Sequence, residues 1–405
     1  MSESKQFLNI IRIFDPDQQT ELIEIMKQYN FDEIIERRGT NCVKYDLLKK
    51  DFGNENLVPL WVADMDFRTP DFIVNAIKKR LDSYYNSIIE WVHYKHNWKI
   101  QREWLSYIPG IVKGIGFVLQ CFTKPGDKVI IQPPVYHPFR IVPENMHREV
   151  VYNPLKTVDD IYEMDFENLE SVIDEHCKVL ILCNPHNPGG VVWKKDTLVK
   201  LAEVCAKHNI LVISDEIHAE MAYPQYTHHP FATVSETAAN CSITFMAPSK
   251  TFNIAGIVTS YSIIPNAEIR EKFYSFMEAG EFNAGTIFAY TATEAAYTYG
   301  AEWLQQMRMY ITENVRFVDE YCKSKLPKIK VYPPQASFLV WLDCRDLKLS
   351  QPELVSLFQD KAGLLLNDGS MFGPGGEGHM RLNIGYPRSV LSSALDALKK
   401  AIDKK

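Results

Sequence analysis

The sequence lacks the features of a membrane protein or a nucleic-acid-binding protein. No stretch of the 405 residues approaches the roughly 20 consecutive apolar residues of a transmembrane helix. The formal net charge is −7, and an acidic chain is poorly suited to binding nucleic acids or anionic lipids. We therefore expect neither a nucleic-acid partner nor a membrane partner.

The chain also has few cysteines, and their spacing excludes the common disulfide and zinc frameworks. The eight cysteines are scattered, and none forms a CxxC pair. The N-terminus has only a short apolar patch, so we expect no secretory signal. Hydrophobic residues make up 46% of the chain and charged residues 23%, as in ordinary globular proteins. These observations predict a cytoplasmic protein with reduced cysteines and no bound metal.

The residues that are present alternate between strand-like and helix-like segments from about residue 108 to residue 256. Short apolar runs at 128–134, 178–185, 210–216 and 242–249 predict buried strands, and the periodicity of 194–209 predicts a helix. This alternation indicates an α/β domain with a mostly parallel sheet covered by helices on both faces. After about residue 300 a long helix and further strands without strict alternation indicate a smaller α+β domain.

Polar residues follow three of the predicted strands, at the end where ligands of such sheets bind. They are residues 184–187, Asp215, and Ser249 with Lys250. A lysine in a partly desolvated site has a lowered pKa and becomes a nucleophile and a base. The cofactor that uses such a lysine is pyridoxal 5'-phosphate (PLP), which is held as a Schiff base and has a ring nitrogen that faces a carboxylate. The pattern therefore predicts a PLP site.

Each candidate residue also has a simpler explanation when it is considered alone. Lys250 could be a surface lysine, Asp215 a helix cap, the segment 184–190 a turn, and Tyr136 a packed aromatic residue. Their common position at strand ends favours the cofactor site. In that site Asp215 would face the ring nitrogen, Asn187 would donate to the phenolic oxygen and Tyr136 would stack on the ring. The helix start at 109–117 would bind phosphate, and the fork of Arg381 would fit a substrate carboxylate.

Nine stretches of the chain carry a resemblance to a known family. They resemble the MalY/PatB-type cystathionine β-lyases, which belong to the fold type I, class I/II aminotransferase superfamily, and the resemblance extends from about Asn30 to the C-terminus. The stretches are "FDEIIERRGTNCVKYD", "PLWVADMDFRTP", "FTKPGDKVIIQPPVY", "LILCNPHNPGGVVW", "ISDEIHAEM", "APSKTFNIAG", "ATEAAYTYGAEWL", "LNDGSMFGPGGEGHMRLN" and "PRSVL".

The resemblance implies a domain organisation and an assembly. We predict a poorly packed extension at 1–25, a segment at 26–60 that joins the small domain, a large PLP-binding domain at 61–295 and a small α+β domain at 296–405. Fold type I sites lie at a two-fold interface, so the resemblance also implies a homodimer.

The resemblance further implies a role for each residue of the site. Lys250 would be the catalytic residue, which binds the cofactor and then moves the proton of the substrate Cα. Arg381 would bind the α-carboxylate of an amino-acid substrate. The cofactor-binding residues would be Lys250, Asp215, Asn187, Tyr136, His218, Ser249, Val112 and Lys113.

The implied activity is β-elimination at carbon–sulfur bonds. L-cystathionine or a related S-substituted cysteine would give a thiol (homocysteine from cystathionine), pyruvate and ammonia. Two alternatives remain open: a PLP-dependent aminotransferase, and a cofactor-poor non-catalytic homologue.

Two departures from the superfamily bear on that choice. Val258, the eighth residue after Lys250, stands where aminotransferases have a phosphate-binding arginine, and this favours the lyase. Between Asp82 and Ser83 the chain lacks a family segment that contains a glycine–tyrosine pair. We therefore predict a break between two helices near Asp82 and Ser83, and a phosphate site with one contact fewer.

Overall fold

The computed structural model describes residues 29–40, 42–77 and 84–404. The predicted extension at 1–25 and the predicted break near Asp82 and Ser83 lie outside the described residues. None of the described helices is long and apolar enough to cross a membrane.

The strands of the described residues are short, and most lie in the two larger sheets. They are β1 (Val58–Pro59), β2 (Leu105–Ile108), β3 (Lys128–Ile131), β4 (Glu149–Tyr152), β5 (Lys156–Val158), β6 (Ile161–Glu163), β7 (Cys177–Cys183), β8 (Leu211–Asp215), β9 (Ser242–Met246), β10 (Ser260–Ile263), β11 (Lys330–Val331), β12 (Leu339–Asp343), β13 (Leu364–Leu365), β14 (Asn367–Asp368) and β15 (His379–Asn383).

The α-helices of the described residues cover the sheets and connect them. They are α1 (Val43–Asp46), α2 (Leu48–Phe52), α3 (Asp71–Ile77), α4 (Tyr84–His96), α5 (Ile111–Phe122), α6 (Pro138–Asn145), α7 (Phe166–Val172), α8 (Lys195–Lys207), α9 (Glu236–Asn240), α10 (Pro248–Thr251), α11 (Ala267–Ala279), α12 (Ile287–Tyr299), α13 (Ala301–Lys325), α14 (Gln351–Ser356) and α15 (Arg388–Asp403).

Seven strands of the described residues form the large sheet, in the order β2-β10-β9-β8-β7-β3-β4. The pairs β9–β8, β8–β7, β7–β3 and β3–β4 are parallel, and β10 is antiparallel to both of its neighbours. The side chains of β7 alternate between two hydrophobic cores, with Leu180 and Leu182 in one and Val179 and Ile181 in the other. Both faces of the sheet are therefore buried, which explains the continuous apolar runs of these strands.

The predicted mostly parallel sheet with covering helices is confirmed, and the ends of three strands meet at one edge. In the register of the sheet, Cys183 of β7 lies beside Asp215 of β8, which lies beside Phe245 of β9. The prediction of strand through residue 249 was too long, because β9 ends at Met246 and Pro248 begins the short helix α10. Proline fits the first turn of a helix, where its missing N–H is not needed.

The C-terminal part of the chain forms a second, antiparallel sheet in the order β11-β12-β15-β14. Helix α13 packs against β11 of this sheet and contacts α15. Strand β1, from the N-terminal region, pairs in parallel with β13. The division into domains at residues 61 and 296 stays a prediction.

Candidate active site

Lys250 lies at the carboxyl edge of the large sheet, in helix α10 directly after β9. Its Nζ donates a hydrogen bond to the carbonyl oxygen of Ala63. Burial lowers the pKa of the Lys250 ammonium to about 8, although Asp64 opposes this effect by raising it. An amine with this pKa is partly neutral near pH 7, so it can act as a nucleophile and as a base.

Asp215 is the last residue of β8 and is buried. Its Oδ1 accepts a hydrogen bond from the backbone N–H of Ile217 at 3.1 Å. Burial raises the pKa of the Asp215 carboxyl to about 7, and the neighbouring Glu216 raises it further, whereas the charge of Lys250 lowers it. A buried carboxyl of this kind is suited to pairing with a cationic ring nitrogen.

Arg381 lies in β15 of the four-stranded sheet, here called the small sheet, and its guanidinium reaches Asn187, which follows β7 of the large sheet. Its Nη1 donates to Asn187 Oδ1 at 2.9 Å, and its Nη2 donates to Asn367 Oδ1. The ring of Phe372 lies 4.9 Å from the guanidinium carbon. Nε of Arg381 is buried and has no hydrogen-bond partner in the described part of the chain. Burial lowers the pKa of Arg381 to about 10, but the guanidinium stays charged at neutral pH and can bind an anion.

Tyr136 and His218 lie close enough to these charged groups for the charges to affect their pKa values. Burial raises the pKa of the Tyr136 hydroxyl, and the charges of Arg381 and Asp215 both act on it. Burial lowers the pKa of His218 to about 3, with the positive charges of Lys250 and Arg381 contributing. His218 is therefore neutral at pH 7, and its buried Nδ1 has no partner among the described residues.

The start of α5 provides a candidate phosphate site. Gly110 precedes this helix with φ of 97°, and no side chain of the described residues caps the first turn. The N–H groups of such a turn are free to bind an anion. The turn contains Val112, which is partly buried, and Lys113, which is exposed. Gly110 lies against Val258, so the helix start is close to the segment that follows Lys250.

Among the described residues, six of the predicted site residues interact with one another, and the other three have no such link to them. Each of the six is linked to another by a hydrogen bond or by the effect of a charge on a pKa. No hydrogen bond in the described ranges links the other three to these six. The six are Lys250, Asp215, Asn187, Tyr136, His218 and Arg381, and the three are Ser249, Val112 and Lys113.

Sequence reasoning missed several residues that support the site. Asn367 holds Arg381 from the neighbouring strand, where the two residues are paired in the register of β14 and β15. Thr251, next to Lys250, donates to Glu220 at 3.2 Å, and Trp91 donates to the same carboxylate at 3.1 Å. The quoted stretch "LNDGS" contains Asn367, but nothing in its spacing shows that it faces Arg381.

The family comparison agrees with this geometry. The family described as "Aminotransferase class I and II" matches residues 76–398. The chain belongs to this family. The predicted resemblance and the predicted fold type I architecture are both confirmed.

The chain is also similar to two curated proteins over nearly their full length. It is 41% identical over 385 residues to "Cystathionine beta-lyase PatB" of Bacillus subtilis, which covers 92% of this chain and 100% of the relative. It is 30% identical over 388 residues to "Protein MalY" of Escherichia coli, which covers 92% of this chain and 99% of the relative.

Solved structures of PLP proteins share the fold. Cystalysin from Treponema denticola, which contains PLP, is 35% identical with a TM-score of 0.90, and the match covers 93% of this chain and all of that chain. A PLP-bound putative aminotransferase from Clostridium difficile is 40% identical with a TM-score of 0.89 and the same coverage.

The side chains of the site fit PLP. Among the described residues the carboxyl of Asp215 accepts only one backbone N–H, so it has capacity for a ring nitrogen. The buried Nδ1 of His218 and Nε of Arg381 both lack partners in the described residues, and buried polar groups without partners are uncommon unless a ligand or water pairs with them. The uncapped start of α5 offers N–H groups to a phosphate.

Proposed function

We propose that this chain is a PLP-dependent carbon–sulfur β-lyase that cleaves L-cystathionine or related S-substituted cysteines. The products would be a thiol, pyruvate and ammonia, with homocysteine as the thiol from cystathionine. One arrangement carries the proposal: the low-pKa ammonium of Lys250 and the buried carboxyl of Asp215 share one sheet edge, and Arg381 reaches that edge from the small sheet.

The residues divide the chemistry between them. When bound, PLP supplies an electron sink for negative charge that develops at the substrate Cα. We assign to Asp215 the role of keeping the ring nitrogen protonated, and to Lys250 the role of the base that takes the Cα proton. Because burial lowers the pKa of Lys250 to about 8, a useful fraction of its amine is neutral near pH 7.

Arg381 binds and orients the amino-acid substrate. Its fork is held by Asn187 and Asn367, so it is already ordered when the α-carboxylate arrives. Loss of the Cα proton expels the sulfur from Cβ as a thiolate, which takes up a proton. Water then hydrolyses the released enamine to pyruvate and ammonia.

The remaining contacts are proposals for cofactor binding. We assign contact with the phenolic oxygen to Asn187 and His218, stacking on the ring to Tyr136, and binding of the phosphate to Ser249, Val112 and Lys113. Val258 is 41% exposed at the position where aminotransferases have an arginine, which supports lyase chemistry over transamination.

We also propose a cytoplasmic homodimer. Helix α12 begins with two adjacent exposed apolar residues, Ile287 and Phe288, and adjacent exposed apolar side chains support a protein–protein contact there. Light scattering at working concentration tests the dimer, and a pure monomer would contradict it.

The decisive assay incubates the purified protein with PLP and L-cystathionine in the absence of a keto acid. We expect thiol and pyruvate in equal amounts, and loss of both in Lys250→Ala. Lys178→Ala, which removes an exposed lysine on β7, is the matched control and should behave as the wild type.

The outcome separates the two enzyme classes. An aminotransferase would give neither product. With an added keto acid it would convert that acid into an amino acid and the substrate into its 2-oxo acid, and it would leave the carbon–sulfur bond intact. Absence of pyruvate and thiol from cystathionine and from a panel of S-substituted cysteines would refute the proposal.

A further inference from the structure

Residues 61–66, which we call the strap, contact both the lysine and the arginine of the candidate site. The carbonyl oxygen of Ala63 accepts the hydrogen bond from Lys250 Nζ. The carbonyl oxygen of Trp61 lies 3.5 Å from Arg381 Nη2 and accepts from it. The position of the strap main chain therefore affects both functional side chains.

The neighbouring carbonyl groups of the strap, at Val62 and Asp64, are also bound by side chains. Asn383 donates to the carbonyl oxygens of Val62 and Asp64, each at 2.7 Å. The oxygen of Asp64 also accepts from Lys44 Nζ at 2.9 Å. Four consecutive carbonyl oxygens, at 61–64, are thus held by side chains.

A buried ion cluster fixes the two carboxylates of the strap. Lys44 Nζ lies 3.0 Å from Asp64 Oδ1 and 3.1 Å from Asp66 Oδ2, and the side chain of Lys44 is 1% exposed. Arg37 pairs with the same two carboxylates and is 23% exposed. The ring of Tyr386 lies 4.3 Å from Lys44 Nζ. A buried ammonium is costly unless its partners satisfy it, so this cluster depends on accurate geometry.

We propose that Lys44 is a positioning residue, which neutralises Asp64 and Asp66 and so fixes the strap against Lys250 and Arg381. The inference rests on the proposed function, because it assigns the catalytic base to Lys250. With Arg37, Lys44 balances the two carboxylates, and its removal leaves one negative charge in excess next to Lys250. The two aspartates lie in "DMD", a pattern that could also suggest a metal site, but here both carboxylates are paired with cations.

The charged groups around Lys250 make the proposal testable, because removal of a cation and removal of an anion should shift the pKa of Lys250 in opposite directions. Asp64, Arg381, Asp215 and Lys44 all act on the Lys250 ammonium: the two carboxylates raise its pKa, and the two cations lower it. Lys44→Met should therefore raise the pKa of Lys250, and Asp64→Asn should lower it. A purely structural role would loosen the strap in both variants and would not produce opposite shifts.

The test measures Lys250 directly in two forms of the full-length protein. In the cofactor-free chain, the pH dependence of Lys250 labelling by a small amine-reactive reagent is followed by peptide mass spectrometry. In the holoenzyme, the pH dependence of the visible absorption band is recorded. We expect shifts of about one pH unit in opposite directions for Lys44→Met and Asp64→Asn.

Control variants separate charge from packing. Lys49→Met removes an exposed lysine whose side chain is 74% accessible, and it should not shift the titration. Lys44→Arg keeps the charge and should shift it less than Lys44→Met. Substrate KM should rise in Lys44→Met, because the carbonyl of Trp61 moves relative to Arg381.

Shifts of the same sign in Lys44→Met and Asp64→Asn, or equal shifts in Lys44→Arg and Lys44→Met, would overturn the proposal. If Lys44→Met does not fold, the same measurements are made on Arg37→Gln, because the guanidinium of Arg37 binds the same two carboxylates. The labelling experiment needs no turnover. It therefore gives its answer even if the chain proves not to be a lyase.

Discussion

Replacement of Asp215 by asparagine should stabilise the cofactor-free protein at alkaline pH, although it removes a group assigned to function. The Asp215 carboxyl is buried at the end of β8, and it accepts one backbone N–H. Asparagine has the same shape, and its Oδ1 can accept the same hydrogen bond. It resembles the protonated acid and carries no charge that must be buried.

The magnitude follows from the shift in pKa. Burial raises the pKa of Asp215 from 3.8 to about 7 in the folded chain. A raised carboxyl pKa means that stability is fully present below about pH 4 and is lost as the pH rises through 7. The full shift, which already includes the lowering by the charge of Lys250, corresponds to at most about 4 kcal/mol of unfolding free energy above pH 7.

The assay compares unfolding midpoints of the wild type and Asp215→Asn at pH 5 and pH 8, with and without PLP. Without PLP the variant should be the more stable protein at pH 8, and the difference should be smaller at pH 5. With PLP the order should reverse, because the cofactor ring nitrogen needs the carboxylate. Asp159→Asn, in an exposed turn with φ of 49°, is the control and should show no pH-dependent difference.

Two results would refute this reasoning. If the variant is less stable than the wild type at pH 8 without PLP, the charge of Asp215 must be compensated in the folded protein. An equal difference at pH 5 and pH 8 would show that titration of Asp215 is not the cause.

Two further substitutions test the substrate contact and the start of α5. Arg381→Lys should raise KM by about 10- to 100-fold with a smaller change in kcat, because lysine lacks the planar fork; an unchanged KM in steady-state assays would contradict the assignment. Gly114→Ala should destabilise the fold by about 1–3 kcal/mol in denaturant titrations, since its Cβ would lie 2.9 Å from Ile108 and 3.0 Å from Phe245. Gly116→Ala, whose Cβ would have ordinary contacts at 3.6 Å or more, is the matched control, and equal losses in both would count against the steric argument.

The large sheet was predictable because its strands are buried on both faces. Continuous apolar runs such as β7 and β8 predict strands that are buried on both faces, and the polar residue at the end of each run indicates the ligand-binding edge of the sheet. The short helix α10 was not predictable, because Pro248 can either end a strand or begin a helix. Tertiary packing decides between the two.

The supporting contacts depend on pairings that the sequence does not encode locally. Asn367 meets Arg381 only because β14 and β15 are adjacent in one register. Lys44 and Arg37 looked like ordinary charged residues, since burial of an ion cluster leaves no periodic pattern. The strap was visible as a family motif, but its contacts with Lys250 and Arg381 could be seen only in three dimensions.

The pairing of β1 with β13 has a consequence for biosynthesis. Val58 of β1 pairs with Leu364 of β13, so β1 cannot form this pairing until a segment 306 residues later in the chain has been synthesised. At roughly 5–20 residues per second, that wait lasts about 15–60 s on the ribosome. The strap follows β1 directly, and two of the side chains that bind its carbonyl groups, Arg381 and Asn383, emerge later still. The strap can therefore complete its set of contacts around Lys250 and Arg381 only when translation is nearly finished.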